Sequence, residues 1–194
     1  MTRLPRARFT VECHPLSPAR WHDLEALFGS RGACAGCWCM YWRLPAAQWQ
    51  RQKGEANRQA LAALACVEPP PGLLAYRGAE AVGWCAIAPR DTYPRLDRSR
   101  VLARVDAKAV WSISCFFVSR PHRGQGVGSA LLQAAVDFAR DQGARMVEGY
   151  PVDPPRPQAD VFVYTGLVSM FRRAGFREVA RRSPTRPIMR RRLT

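Results

Sequence analysis

Between Ala109 and Gln142 the sequence passes from a strand pattern, through three alternate glycines, into a helical pattern. No other segment narrows the fold so far. Ala109 to Val118 (AVWSISCFFV) is rich in β-branched and aromatic residues and reads as a strand. Gly124, Gly126 and Gly128 follow, and Ser129 to Gln142 then places Leu131, Leu132, Ala135, Phe138 and Ala139 on one helix face, closed by Gly143. Met146 to Val152 reads as a second strand. Strand, helix and strand in so short a span form a crossover unit, which implies a parallel pair in one sheet.

The rest of the chain fits around that unit. Arg8 to Cys13 alternates like a short strand, and Ser17 precedes a helix with Trp21, Leu24, Leu27 and Phe28 on one face. Gly29 to Gly36 is a small-residue loop. A second helix runs from Pro45 towards Cys66, interrupted near Gly54 and stopped by Pro69 to Gly72. Leu73 to Tyr76 and Ala81 to Ile87, joined through Arg77-Gly78-Ala79-Glu80, predict a β-hairpin. Pro89 to Arg104, polar and arginine-rich, is expected to be an exposed loop. Leu167 to Ala174 predicts a last short helix, and Phe176 to Ala180 and Pro187 to Leu193 two closing strands. A single α/β domain accounts for all 194 residues, with no repeat or low-complexity tract.

The segment Val118 to Ser129 (VSRPHRGQGVGS) carries the chemistry. Glycines let backbone N–H groups approach an anion, a helix N-terminus adds partial positive charge, and Arg123 adds a full one. Such a loop is a cradle for pyrophosphate. No Gly-Lys-Ser/Thr follows the glycines, which excludes a Walker loop, and their spacing is not G-x-G-x-x-G.

Charge and cysteine content bound the setting. The formal net charge is +15, from 28 arginines and only two lysines, Lys53 and Lys108, against fifteen acids. This balance points to an anionic partner or to the habit of a GC-rich genome. Nine arginines stand against Glu178 alone from Phe171 to Thr194, which keeps a nucleic-acid partner open. Seven cysteines without a secretion signal suggest reduced thiols and a cytoplasmic protein, and no apolar run is long enough to predict a membrane span.

Arg123-Gly124-Gln125-Gly126-Val127-Gly128 resembles the Q/R-x-x-G-x-G/A motif of the GCN5-related N-acetyltransferase (GNAT) superfamily. Met170 to Phe176 (MFRRAGF) is similar to that family's closing helix with its Gly-Phe ending, and the element order matches across nearly the whole chain. The resemblance implies a mixed, mostly antiparallel sheet with a splayed parallel strand pair, flanked by about four helices. Residues 1–70 would supply the N-terminal strand and acceptor-side helices, and residues 72–194 the sheet and the acyl-CoA region. It further implies acetyl-CoA as the acyl donor, with no metal. Backbone groups of Phe117, Val118 and Ser119 would pair with the pantetheine arm, and Arg123, Gly124, Gln125, Gly126, Val127, Gly128 and Ser129 would hold the pyrophosphate. The Val118 N–H would polarise the thioester carbonyl.

Two departures from the family's pattern concern protons. Residues 107–122 contain no Asp or Glu where many members carry a glutamate base, so Glu148 on the neighbouring strand becomes the candidate, beside solvent water or an acceptor that arrives deprotonated. Phe171 stands where the family usually has an acidic tyrosine, so Tyr164 is expected as proton donor, with Tyr150 the weaker candidate. The fold also places Trp38, Met40, Tyr41, Trp42 and Arg43 at the acceptor cleft, as an aromatic wall with a cationic edge; packing between helices is the alternative. Cys34, Cys37 and Cys39 form a single cluster, which reaches the four ligands of a structural zinc site only if Cys13, His14 or His22 joins it. The implied activity is acetyl transfer to a primary amine by direct attack in a ternary complex, in a monomer or homodimer. An aminoacyl-tRNA or ribosomal-protein acceptor, and a non-catalytic acyl-CoA sensor, are the alternatives.

Overall fold

The computed structural model describes residues 10–156, 158–159 and 162–194. The elements run β1 (Glu12–Pro15), α1 (Trp21–Phe28), α2 (Ala46–Arg51), α3 (Glu55–Leu64), β2 (Gly72–Arg77), β3 (Glu80–Pro89), α4 (Pro94–Asp97), β4 (Trp111–Val118), α5 (Val127–Asp141), β5 (Met146–Gly149), α6 (Val168–Arg173), β6 (Arg177–Arg181) and β7 (Pro187–Arg192). The strands form one sheet in the order β1-β2-β3-β4-β5-β7-β6. Its pairings are antiparallel except β4 with β5, the crossover pair joined through α5.

Helices cover both faces of the sheet. On one face α5 buries Val127, Leu131, Leu132, Ala135, Val136 and Ala139 against Leu73, Val82, Ile113 and Val147, with Phe171 and Phe176 completing the cluster. Each such side chain stabilises the fold by about 1.5–3 kcal/mol for a Val, Leu or Phe. On the other face Leu24, Phe28, Trp38 and Leu61 pack on Leu74, Trp84 and Ala86. Gly83 of β3 lets the start of α5 settle onto the sheet, because a Cβ there would stand 2.8 Å from Val127 Cγ1. That close approach sets the glycine loop beside the end of β4, where Gly83 pairs with Val118.

Several expectations shift. The first strand is Glu12–Pro15; Arg8 and Phe9 of the expected strand lie outside the described residues. The second predicted helix divides at Gly54 into α2 and α3, and with the extra turn α4 this gives six α-helices among the described residues rather than about four. Strand β5 stops at Gly149, although Val152 still makes a parallel bridge to Leu167. The segment 89–104 is not an exposed loop: Arg90, Tyr93, Leu96 and Leu102 are buried in a third cluster with Trp42, Tyr150 and Ile188. Arginine content suggested exposure there, but Arg90 is drawn inward by a buried carboxylate.

Candidate active site

Strands β4 and β5 stay paired only through Trp111–Val147, Ser112–Glu148 and Ile113–Gly149. Past Ile113, β4 runs on to Val118 without β5, paired on its other side with β3. The parting coincides with a bulge: Ala86 pairs with Cys115 and Ile87 with Ile113, which leaves Ser114 as the additional residue and bends the strand. Into the gap comes the chain that follows β5, and the Phe116 N–H donates to the Tyr164 carbonyl at 2.6 Å. The Ser119 N–H donates to Val82 on the opposite side at 3.0 Å. Strand alternation therefore turns the Val118 N–H to the same side as that of Phe116, into the splay. Of the three backbone positions expected to pair with a ligand arm, Val118 alone presents its N–H to the gap. Phe117 pairs with Trp84 of β3, and its ring packs edge-on to Phe28 at 5.4 Å.

The glycine loop closes the open end of the splay. Gly124 (φ 69°) and Gly126 (φ 89°) adopt left-handed backbone, where a side chain would be strained. The first α5 hydrogen bond runs from the Ala130 N–H to Gly126 O at 3.0 Å, so the N–H groups of Val127, Gly128 and Ser129 lie ahead of it. No side chain caps this end, and the first turn holds no acid. Val127 is buried by its side chain and contributes only backbone to the loop, whereas Ser129 is exposed. Arg123 Nε donates to Val118 O at 3.0 Å, and Gln125 bridges Pro121 O (2.6 Å) and Arg77 Nη1 (2.7 Å). The arrangement offers convergent donors and a helix dipole to an anion, as pyrophosphate requires.

Glu148 takes a different part from the one its strand position suggested. It is fully buried, its Oε1 accepts from Arg90 Nη1 (2.7 Å) and the Tyr150 hydroxyl (2.6 Å), and its Oε2 accepts from Arg190 Nε (2.6 Å). Arg90 also donates to Asp97 (2.9 Å) and Leu102 O (2.9 Å), and Tyr150 meets Ser112 Oγ at 2.7 Å. A carboxylate saturated by two guanidinium groups and a phenol, with no access to solvent, cannot collect a proton from an incoming amine. Glu148 instead fastens β5, β7 and residues 90–102 together behind the splay. Tyr150 belongs to the same network, which removes it as a proton donor.

Tyr164 lies half-buried beside the splay. Burial pushes its phenol above the ordinary range, with Cys115 adding to the effect and Arg186 opposing it. Its neutral form therefore persists at physiological pH, as a proton donor requires. Phe171, at the helix position where a tyrosine was looked for, is fully buried and packs edge-on to Phe116 (6.2 Å) and Phe176 (4.9 Å).

The family model described as Acetyltransferase (GNAT) family matches residues 36–176, well over half of the chain. The chain belongs to the GNAT acetyltransferase family. Among solved structures, a GCN5-related N-acetyltransferase from Kribbella flavida aligns over 94% of this chain and 98% of its own, with 21% identity and a TM-score of 0.55. The paia N-acetyltransferase from Thermoplasma acidophilum, solved in complex with coenzyme A, covers 95% of this chain and 99% of its own at 13% identity and a TM-score of 0.54. Salmonella typhimurium yncA, solved with its cofactor acetyl-CoA, covers 95% and 94% at 14% identity and a TM-score of 0.50. At such identities the likeness is one of fold. No curated protein sequence matches the chain.

Within this GNAT fold the five residues expected at an acceptor wall divide, and Met40 is buried in the core with Leu24 and Trp84. Trp38 is only 4% exposed, stacked on Trp21 (6.0 Å) and packed on Phe28 (5.6 Å), so it is core. Trp42 is buried in the third cluster, and Arg43 stacks over Tyr93 (4.7 Å) while donating to its hydroxyl (3.3 Å). Both hold the loop to the 90–102 segment. Tyr41 remains half-exposed, with the Arg95 guanidinium 3.7 Å over its ring, and with Trp42 it borders a cavity of about 350 Å³. The aromatic content signalled packing as much as recognition, and sequence could not separate the two.

The same loop carries four non-glycine residues at positive φ: Ala33, Ala35, Trp38 and Cys39. It is held in that shape by the Gly36 carbonyl, which accepts from the Gly54 N–H (3.0 Å) and Asn57 Nδ2 (3.1 Å). Cys39 Sγ meets Cys115 Sγ of β4 at 3.6 Å, a contact that cysteine spacing alone could not reveal. Burial pushes the Cys37 thiol up to about 11, and the Cys115 contact followed by burial holds Cys39 well above its ordinary value. These are packed thiols rather than thiolates, and no cluster of three or more metal-ligating side chains occurs among the described residues.

Much of the C-terminal arginine charge is used internally. Arg181 pairs with Glu178 (2.7 Å) and Asp153 (2.9 Å), and Arg190 with Glu148 and Asp106 (2.8 Å). Arg182 donates to Ala103 O (2.6 Å) and Arg104 O (3.0 Å), and Arg191 to Ala174 O (2.8 Å). Arg186 makes no such bond among the described residues and was not singled out from sequence. No described helix is long and apolar enough to cross a membrane.

Proposed function

We propose that this chain transfers an acetyl group from acetyl-CoA to a primary amine by direct attack in a ternary complex. The observation that carries this reading is the Val118 N–H turned into the β4–β5 splay, one loop away from the uncapped start of α5, in a chain of the GNAT family. The residues fit the donor. The N–H groups of Val127, Gly128 and Ser129, with Arg123 beside them, suit the pyrophosphate, and the splay beside Val118 suits the extended pantetheine arm.

Val118 N–H donates to the thioester oxygen as negative charge builds there; removal of one such donor typically lowers a rate about 10²–10³-fold. The amine nitrogen bonds to the acetyl carbon while the carbon–sulfur bond breaks. Tyr164 then gives its phenolic proton to the departing sulfur. The nitrogen's own proton leaves to water, since Glu148 is sealed and residues 107–122 contain no carboxylate. On this account kcat/KM rises with pH as the acceptor amine loses its proton.

Calorimetry with acetyl-CoA, followed by a thiol-release assay with a panel of amines, tests the reading. Micromolar binding and amine-dependent CoA release are expected. Absence of acetyl-CoA binding would overturn it, and binding without release for any amine would favour a sensor.

A further inference from the structure

Arg186, in the turn between β6 and β7, is half-buried. Among the described residues its side chain makes no hydrogen bond or ion pair, while Arg181, Arg182, Arg190 and Arg191 around it are all engaged. Taking a guanidinium partly out of water without a partner is unfavourable, and such cations are ordinarily paired. Burial lowers its hold on its proton, opposed by the phenols of Tyr164 and Tyr41, the half-buried tyrosines of the splay and of the α1–α2 loop. The cation therefore lies within electrostatic range of both tyrosines, one of them the proposed proton donor.

Arg186 also lines a cavity of about 510 Å³ with Gln158, Thr185, Val152 and Phe162. No acidic side chain among the described residues lines it. The Thr185 carbonyl accepts from the Asp153 N–H (2.9 Å), and the Val152 N–H donates to Gly166 O (2.8 Å), which ties this cavity to the Tyr164 segment. Phe162 is 64% exposed and gives the cavity an apolar wall. One guanidinium, one amide and one hydroxyl against a hydrocarbon surface match a single negative charge on a partly apolar molecule. A guanidinium fork meets a carboxylate through two parallel hydrogen bonds, whereas a doubly charged phosphate ordinarily gathers more than one cation.

We propose that Arg186 binds a carboxylate on the acceptor, so that the amine acetylated here belongs to an amino acid or a similar small amino-carboxylate. This rests on the acetyl-transfer reading above and names the acceptor class for it. Arg186 holds the carboxylate, the apolar wall takes the side chain, and the amine is left facing the thioester beside Val118.

The test compares turnover of the free amino acids with that of their amides and of polyamines, in the wild type and in Arg186→Gln and Arg186→Lys. The wild type is expected to prefer amino acids to the matching amides by at least about tenfold in kcat/KM. Arg186→Gln should erase that preference through KM, and Arg186→Lys should restore part of it. A general loss of packing would shift amides and amino acids alike. The wild-type comparison stands even where a variant fails to fold. Equal or better turnover of amides or polyamines by the wild type would overturn the carboxylate assignment alone, whereas no turnover of any amine while acetyl-CoA still binds would favour the sensor and take down the acetyl-transfer reading with it. Loss of acetyl-CoA binding itself would take down the reading beneath it.

Discussion

The Phe116 N–H donates to the Tyr164 carbonyl at 2.6 Å, two residues before the Val118 N–H that faces the open splay. This bond carries the Tyr164 segment to β4 at the point where β5 has departed. It fixes the backbone of the proposed proton donor relative to the proposed oxyanion donor.

Tyr164→Phe keeps that backbone bond and removes only the hydroxyl. It is expected to lower kcat by about 10²-fold or more, the usual range for a positioned general acid, while the acetyl-CoA Kd changes less than about twofold. In the wild type, kcat should hold on the alkaline side past the ordinary phenol value, because burial keeps the hydroxyl protonated. Steady-state kinetics across pH with calorimetry separates the outcomes, and an unchanged kcat would remove Tyr164 from the reaction.

Glu148→Gln removes the charge shared by Arg90 and Arg190 and leaves two cations without it. Breaking a buried pair in this way destabilises by about 3–5 kcal/mol. Thermal unfolding should show a marked fall in Tm, while kcat measured well below the new Tm stays within a few fold of the wild type. A catalytic base would show the reverse, with a large drop in kcat and little change in Tm.

Ala35 is exposed with φ near 47°, in a stretch where left-handed backbone recurs. An alanine held there loses about 1–2 kcal/mol relative to its preferred conformations, and the greater freedom of glycine in the unfolded chain offsets about 0.4–1 kcal/mol. Ala35→Gly is expected to raise stability by about 0.5–1 kcal/mol in urea unfolding. A destabilised variant would contradict the loop's backbone geometry.

Glu55, Asp106 and Glu178 titrate below their ordinary values, through hydrogen bonds from Arg58, Arg190 and Arg181 respectively. For depressed carboxylates the sign is fixed: their stabilisation is complete above the unfolded-state pKa, near 4, and is lost as pH falls through the lower folded value. Tm should therefore hold from neutrality to about pH 5 and decline below about pH 4, and raised salt should flatten the part of the decline that comes from the exposed Glu55–Arg58 and Glu178–Arg181 pairs. A Tm unchanged down to pH 3 would show that the pairs contribute nothing.

The glycine loop and its flanking strand and helix were legible because their signals are local: β-branched residues, alternate glycines and a 3.6-residue period each act within a few positions. Glu148 and Arg90 were misread for the opposite reason. Their partners lie 58 residues apart in sequence, so a strand carboxylate passed for a base and an arginine-rich stretch for solvent-exposed chain. Trp38 and Trp42 show the same blind spot, since an indole in a core and one in a pocket have identical sequence signatures. Phe171 stands where a tyrosine was looked for, and its burial against the rings of Phe116 and Phe176 was not legible from sequence. Arg186 stands out solely because its neighbours' bonds can be counted.

All seven cysteines are free and graded by depth: Cys34 and Cys66 are exposed, Cys13, Cys37 and Cys115 intermediate, Cys39 and Cys85 sealed. That gradation equips the molecule with its own clock. A thiol reagent will mark the outer pair at once, but Cys39, pressed against Cys115, becomes reachable only when the strained loop lifts from the sheet. Its labelling rate, followed by mass spectrometry, thus measures how often that loop opens.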